Sequence, residues 1–170
     1  MELIDAPLLA LWLARALHVA GVVLWIGGVA FVTTALLPAI RAGFPPDRQL
    51  PEFERYERRF GRQARWTTQL VGASGLFMLW KLDLWSRFTM PGAFAQFGWM
   101  HAMVGIYALF TMLLFVIEPL FFHRLLQTLA RRNPALPMRL MSVMHWVLLT
   151  LSLVTVAWAM AGAHGWRMGG

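Results

Sequence analysis

Apolar residues are concentrated in four stretches of the chain, separated by shorter and more polar segments. These stretches cover about 8–37, 66–82, 98–121 and 138–162, and we number the predicted helices one to four in that order. A helix needs about 20 mostly apolar residues to cross a bilayer, and helix two is near the lower limit. The pattern predicts an all-α membrane protein in which residues 1–170 form one domain, a four-transmembrane-helix bundle.

The composition agrees with a membrane protein and excludes several other classes. Of the 170 residues, 59% are hydrophobic and 14% are charged, whereas about a quarter of the residues of a soluble domain are charged. Little chain remains outside the four stretches, so no sizeable soluble domain is expected. The chain has no cysteine, which rules out disulfides, iron–sulfur ligation and thiolate metal sites.

The basic residues are distributed unevenly among the connecting segments. Eleven arginines lie between helices one and two or between helices three and four: Arg41, Arg48, Arg55, Arg58, Arg59, Arg62, Arg65, Arg124, Arg131, Arg132 and Arg139. The other side holds the remaining cations, Arg15, Lys81, Arg87 and Arg167. This asymmetry is the positive-inside pattern. It predicts a multi-pass protein of the bacterial inner membrane with both termini in the periplasm. It also explains the net charge of +7 by contact with membrane lipid rather than by a nucleic acid partner.

Two histidines lie within the predicted spans. With each helix centred in the bilayer, His18 of helix one is ~8 Å and His101 of helix three ~10 Å outward of the midplane, at 1.5 Å per residue. An ionisable side chain in hydrocarbon is costly, so its presence indicates a function. Neutral imidazole is a common axial ligand of haem iron. We therefore predict haem b between helices one and three, with His18 and His101 as ligands.

Other residues on the same helix faces fit this hypothesis. Arg15, Gly21 and Trp25 share a face with His18, because they recur at spacings of three, four and seven residues. Arg15 is predicted to pair with a haem propionate, although an arginine there can also extend to the outer interface. Gly21 and Gly105 would let a porphyrin approach the helices, or would simply let helices pack closely.

Alternatives to this haem site remain open. His145, ~9 Å inward of the midplane, and His164, at the outer end of helix four, are the weaker candidates for metal ligands. Met100 and Met103 flank His101, and thioether and imidazole ligands together suit Cu(I), so copper binding or transport is the second hypothesis. A structural subunit of a membrane complex is the third.

Acidic residues offer little for catalysis. Only Asp83 and Glu118 approach the predicted spans, each near an end, so no paired-carboxylate mechanism is expected. Glu118 is predicted to pair with Arg124 at the inner surface. Gly72 of helix two is predicted to let a neighbouring helix approach closely.

Several short motifs, occurring in order, resemble a group of small bacterial membrane proteins. The motifs are Arg15-Ala-Leu-His18, Trp25-Ile-Gly-Gly28 and Pro38-Ala-Ile-Arg41 in helix one, Tyr56-Glu-Arg-Arg-Phe60 and Thr67-Thr-Gln-Leu-Val-Gly72 before and in helix two, and Gly98-Trp-Met-His101 at the start of helix three. The group joins CopD-type copper-resistance domains and HemJ-type protoporphyrinogen oxidases. The resemblance covers about 100 residues of helices one to three.

The resemblance implies a haem protein in which His18 matches the family's proposed haem ligand. Where the HemJ-type enzymes have a lysine two residues after the helix-three histidine, this chain has Met103. The resemblance therefore implies the cofactor more strongly than protoporphyrinogen oxidation. We expect a redox or electron-transfer role, with quinone as a partner and a homodimer or larger membrane complex as the assembly.

Overall fold

Five helices account for nearly all of the chain that the structure describes. The computed structural model describes residues 6–166, and both chain ends, including Arg167, lie outside the described residues. The helices are α1 (Ala6–Gly43), α2 (Pro46–Lys81), α3 (Ser86–Thr89), α4 (Ala93–Arg132) and α5 (Leu136–Ala163). Between residues 6 and 166 there is no strand, which confirms the all-α class.

Three of these helices are long and apolar enough to cross a membrane. They are α1, α4 and α5, with 38, 40 and 28 residues, and they contain the predicted helices one, three and four. At about 1.5 Å per residue even the shortest exceeds the roughly 30 Å of hydrocarbon. The predicted helix two forms the C-terminal part of α2. It is less apolar than the other three, because Thr68, Gln69 and Ser74 interrupt its apolar residues.

Both of the longest helices contain a wider, π-helical segment. In α1 this segment is Val32–Leu36, and in α4 it is Leu113–Phe122. The hydroxyl of Thr33 donates to the carbonyl of Val29 at 2.7 Å, a type of bond that bends helices. Pro119 has no amide hydrogen and cannot make the α-helical bond at its position. The helices continue beyond these segments, so α1 and α4 extend past the predicted ends near residues 37 and 121.

The helices pack as two pairs. α1 and α2 share the most extensive contact among the described residues, and α4 and α5 form the second pair. Gly21 of α1 lies against Val71 of α2, and Gly28 farther along α1 lies against Phe60, which comes earlier in α2. α1 and α2 are therefore antiparallel.

The interior of the bundle consists of two apolar clusters, and much of the exterior is apolar as well. The cluster around the middle of α1 contains Trp25, Val29, Val71, Phe110, Leu148 and Leu149. The cluster near the α1–α2 turn contains Val32, Leu37, Ile40, Leu50, Phe53, Leu126, Met138 and Met141. Large side chains such as Leu13, Val23, Val143 and Leu153 are exposed. An apolar exterior of this extent is what lipid contact requires, in contrast to the surface of a soluble monomer.

Candidate functional site

His18 is held by the neighbouring helix α2. Its Nδ1 lies 3.1 Å from the carbonyl oxygen of Val71 and 3.2 Å from Oγ of Ser74. The Ser74 hydroxyl donates its own hydrogen to the carbonyl of Leu70 at 2.6 Å, so its oxygen is an acceptor towards His18. Both partners therefore place the proton on Nδ1 of His18, which leaves the Nε2 lone pair for another ligand.

The His18 ring is half-buried and lies close to Gly75 of α2. A Cβ atom at position 75 would come 3.3 Å from the ring carbon Cε1 of His18. Glycine at this position therefore allows the ring to lie close to the α2 backbone. The ring is thus fixed in a helix long and apolar enough to cross a membrane, and an imidazole fixed through Nδ1 can bind a metal through Nε2.

His101 is held by the segment before it rather than by α1. Its Nδ1 lies 3.1 Å from the carbonyl oxygen of Phe97, and its Nε2 lies 3.4 Å from the carbonyl oxygen of Phe88. The rings of Phe88 and Phe94 flank it, with centroids at 5.0 and 5.7 Å. Within residues 6–166 no hydrogen bond joins His101 to His18. The two imidazoles thus have separate supports.

The small residues predicted to admit a porphyrin have different surroundings. At Gly21 an added Cβ would lie 2.8 Å from Cγ2 of Val71, so this glycine permits close packing of α1 on α2. At Gly105 an added Cβ would meet no atom within 4 Å. Arg15 is exposed and lies about one helical turn before His18 in α1. Its position is open to a propionate and equally to the lipid headgroups.

Trp25 and His145 line the same small cavity, although the sequence placed them in different parts of the protein. The side chain of Trp25 is 3% exposed and packs edge-on against Phe110, with centroids 4.8 Å apart. Its indole nitrogen has no hydrogen-bond partner among the described residues. His145 is buried, and its Nδ1 lies 2.9 Å from the carbonyl oxygen of Met141. Its Nε2 is therefore an acceptor.

This cavity has room for about three water molecules. Its volume is about 90 Å³, and Glu57 and Glu118 are among the residues that line it. Acidic residues and apolar residues from the interior of the bundle therefore line the same cavity. The sequence did not predict that these residues lie together, because they come from four different helices, α1, α2, α4 and α5.

The remaining histidines and the two methionines beside His101 differ in their exposure. His164 is exposed at the end of α5, with Nδ1 2.7 Å from the carbonyl oxygen of Met160. His123 is exposed and lies 3.2 Å from a carboxylate oxygen of Glu54. On α4, Met100 is buried and Met103 half-buried.

An ion pair joins α2 to the π-helical segment of α4. Nη2 of Arg65 lies 2.7 Å from Oε1 of Glu118, so the predicted pairing of Glu118 with Arg124 is wrong. Burial is the main reason that the pKa of Glu57 is raised to about 7; the carboxylates of Glu118 and Glu54 act in the same direction, and Arg65 opposes them.

The comparisons with known proteins add no family. No protein-family model matches the chain, and no curated protein or solved structure matches it significantly. The resemblance to the CopD-type and HemJ-type group stays a prediction. Within residues 6–166 no three His, Asp or Glu side chains come together as a metal site. Haem iron takes its axial ligands from single side chains, so His18 is the residue whose geometry fits a cofactor best.

Proposed function

We propose that the protein binds haem b in the bacterial inner membrane and has a redox or electron-transfer role. The single observation that supports this proposal most directly is the anchoring of Nδ1 of His18 by α2. A histidine whose Nδ1–H is bound by a carbonyl group has a fixed ring and a more basic Nε2. In a chain with three membrane-length helices and a half-buried imidazole, such a nitrogen suits ligation of haem iron.

The proposal assigns each of the surrounding residues a definite task. His18 binds the iron through Nε2, Val71 and Ser74 orient the ring, and Arg15 pairs with a propionate. Bound haem supplies one-electron transfer. His101 is the proposed second ligand, and its Nδ1 is anchored by Phe97 in a similar way. Its Nε2 becomes free only when the carbonyl of Phe88 moves away, so ligation by His101 requires a shift of α3.

The proposal also includes the orientation of the chain. The C-terminal part of α2 crosses the membrane as a fourth span, both termini are periplasmic, and the arginine-rich first half of α2 is cytoplasmic. The antiparallel pairing of α1 with α2 supports this arrangement. The residues of α2 that contact His18 all lie in this C-terminal part, which therefore runs beside the membrane-length helix α1.

An absorption spectrum of the purified protein tests the function. Protein isolated in a mild detergent should show a Soret band, with sharp α and β bands after reduction. His18→Ala should lose most of its haem, whereas His164→Ala, which removes an exposed histidine, should keep it. Full haem content in His18→Ala, with both variants folded by size-exclusion chromatography, would contradict the assignment. Stoichiometric copper without a Soret band would favour the copper hypothesis instead.

A further inference from the structure

Five arginines of α2 line one large cavity near the junction of α2 with α4. The cavity has a volume of about 670 Å³, which lies within the roughly 300–1,000 Å³ typical of small-ligand sites. We call it the arginine pocket. Its lining consists of Arg55, Tyr56, Glu57, Arg58, Arg59, Gly61, Arg62, Arg65 and Glu118.

The spacing of these arginines places most of them on one face of α2. Arg55, Arg58, Arg62 and Arg65 follow one another at intervals of three, four and three residues, which correspond to one helical face. Like charges at these spacings repel one another and weaken a helix. An anion bound between them would relieve this repulsion.

The protein itself supplies little negative charge to the pocket. Among the described residues, Arg65 is the one arginine of the five with a carboxylate within ion-pair distance, and that carboxylate belongs to Glu118. Glu57 also lines the pocket, but with a pKa raised to about 7, chiefly by burial, it is partly protonated near neutral pH. The arginines therefore outnumber the acidic charges by at least three.

The place of the pocket along α2 indicates where the missing anion comes from. Trp66, with 79% of its surface exposed, follows immediately after Arg65, and exposed tryptophans favour the membrane interface. In the proposed orientation this is the cytoplasmic interface, where anionic lipids attract clusters of basic residues. The guanidinium group binds phosphate oxygens through two parallel hydrogen bonds.

We propose that the arginine pocket binds the phosphate of an anionic phospholipid headgroup in the inner leaflet. The inference rests on the proposed orientation of α2, but not on haem. Arg58 and Arg62, which face the same side one turn apart, hold the phosphate. Arg65 remains with Glu118 and ties the pocket to α4.

Lipid binding by the full-length protein in neutral detergent tests this inference. The probe is phosphatidylglycerol, and phosphatidylcholine, which has a phosphate but no net charge, is the comparison lipid. The double variant Arg58→Gln/Arg62→Gln should bind phosphatidylglycerol at least tenfold more weakly than the wild type. The matched control, Arg131→Gln/Arg132→Gln, makes the same change of charge at the end of α4 and should bind like the wild type.

Three results would overturn the inference. The first is an equal loss of binding in the control, which would show a general charge effect. The second is equal binding of phosphatidylcholine. The third is saturation of the pocket by inorganic phosphate with an affinity that phosphatidylglycerol does not exceed, which would show a site for a soluble phosphate. If the glutamine variant does not fold, Arg58→Lys/Arg62→Lys serves in its place. It keeps the charge but should still bind phosphatidylglycerol several-fold more weakly than the wild type, because lysine lacks the paired donors. Haem content is measured on the same samples, so failure of the haem proposal is recorded separately.

Discussion

A neutral histidine carries its proton on one of two ring nitrogens. In this protein backbone carbonyl oxygens lie beside Nδ1 and favour the proton there. His101, His145 and His164 have Nδ1 on the carbonyl four residues earlier in the chain. His18 differs, because its Nδ1 partners belong to another helix. The orientation of the His18 ring therefore depends on how α1 packs on α2, whereas Nδ1 of each of the other three rings is held by its own helix.

The serine that supports His18 provides a prediction at this scale. In Ser74→Ala the ring keeps the Val71 carbonyl but loses the hydroxyl, so its orientation becomes less defined. Supporting residues of this kind typically change metal affinity 10–100-fold, and we expect about tenfold weaker haem binding in a haem titration. Ser152→Ala removes a buried serine that bonds only its own helix, and this control should bind haem normally. Equal affinity in both variants would refute the role of Ser74.

Glu57 gives the protein a pH-dependent stability. Its pKa is raised from 4.5 to about 7, chiefly by burial, so the folded state binds the proton more tightly than the unfolded state. This contribution is fully present below about pH 4.5 and is lost as the pH rises through about 7. Glu57→Gln cannot ionise, so above pH 7 it should be more stable than the wild type by about 1–3 kcal/mol, allowing for partial solvent screening. Thermal unfolding in detergent at several pH values measures this difference, and an unchanged pH profile in the variant would contradict it.

The chemical type of the candidate residues could be predicted from the sequence, but their partners could not. His18 stood out because imidazole is unusual in an apolar run. The partner of Glu118 was predicted wrongly, because Arg124 is near in the chain yet six residues away, on a different face of the helix. Arg65, the actual partner, comes from α2, and only the packing of α2 on α4 brings it close.

At the scale of helices, proline and glycine bear on where the helices end and how closely they pack. The apolar runs predicted the helices well, since a long run without charges favours a membrane-length helix. The end of helix three was predicted too early, near residue 121, where the apolar run ends. A π-helical segment includes Pro119 without ending the helix, and α4 continues to Arg132.

Close packing of α2 on α4 depends on Gly72. A Cβ atom there would overlap the ring of Tyr107, 2.6 Å from Cζ. Gly72→Leu should therefore destabilise the protein by about 1–3 kcal/mol, the usual cost of overpacking. In Gly27→Leu the added side chain meets open space, with no atom within 4 Å of its Cβ, and stability should be unchanged or slightly raised. Unfolding in denaturing detergent compares the two, and equal stability would show that α2 does not pack on α4 as described.

At the scale of the whole molecule, the charge and the apolar surface together predict its orientation. The arginine pocket and the positively charged end of α4 belong to the same side of the bundle in this arrangement, because α2 and α4 meet there through Arg65 and Glu118. Segment 82–92 belongs to the opposite end of α2. A bilayer with an excess of anionic lipid on its cytoplasmic face would hold the protein in one direction.

The absence of cysteine from the chain allows this orientation to be measured without background. Ser86 and Thr128 are both exposed and lie towards opposite ends of the bundle, so each can carry a single introduced thiol. A membrane-impermeant maleimide should label Ser86→Cys in intact cells, because the positive-inside pattern predicts that this segment is periplasmic. Thr128→Cys, beside Arg131 and Arg132, should be labelled only after the membrane is opened. The reverse pattern would invert the topology and place the arginine pocket on the periplasmic side, where the anionic inner leaflet could not be its ligand.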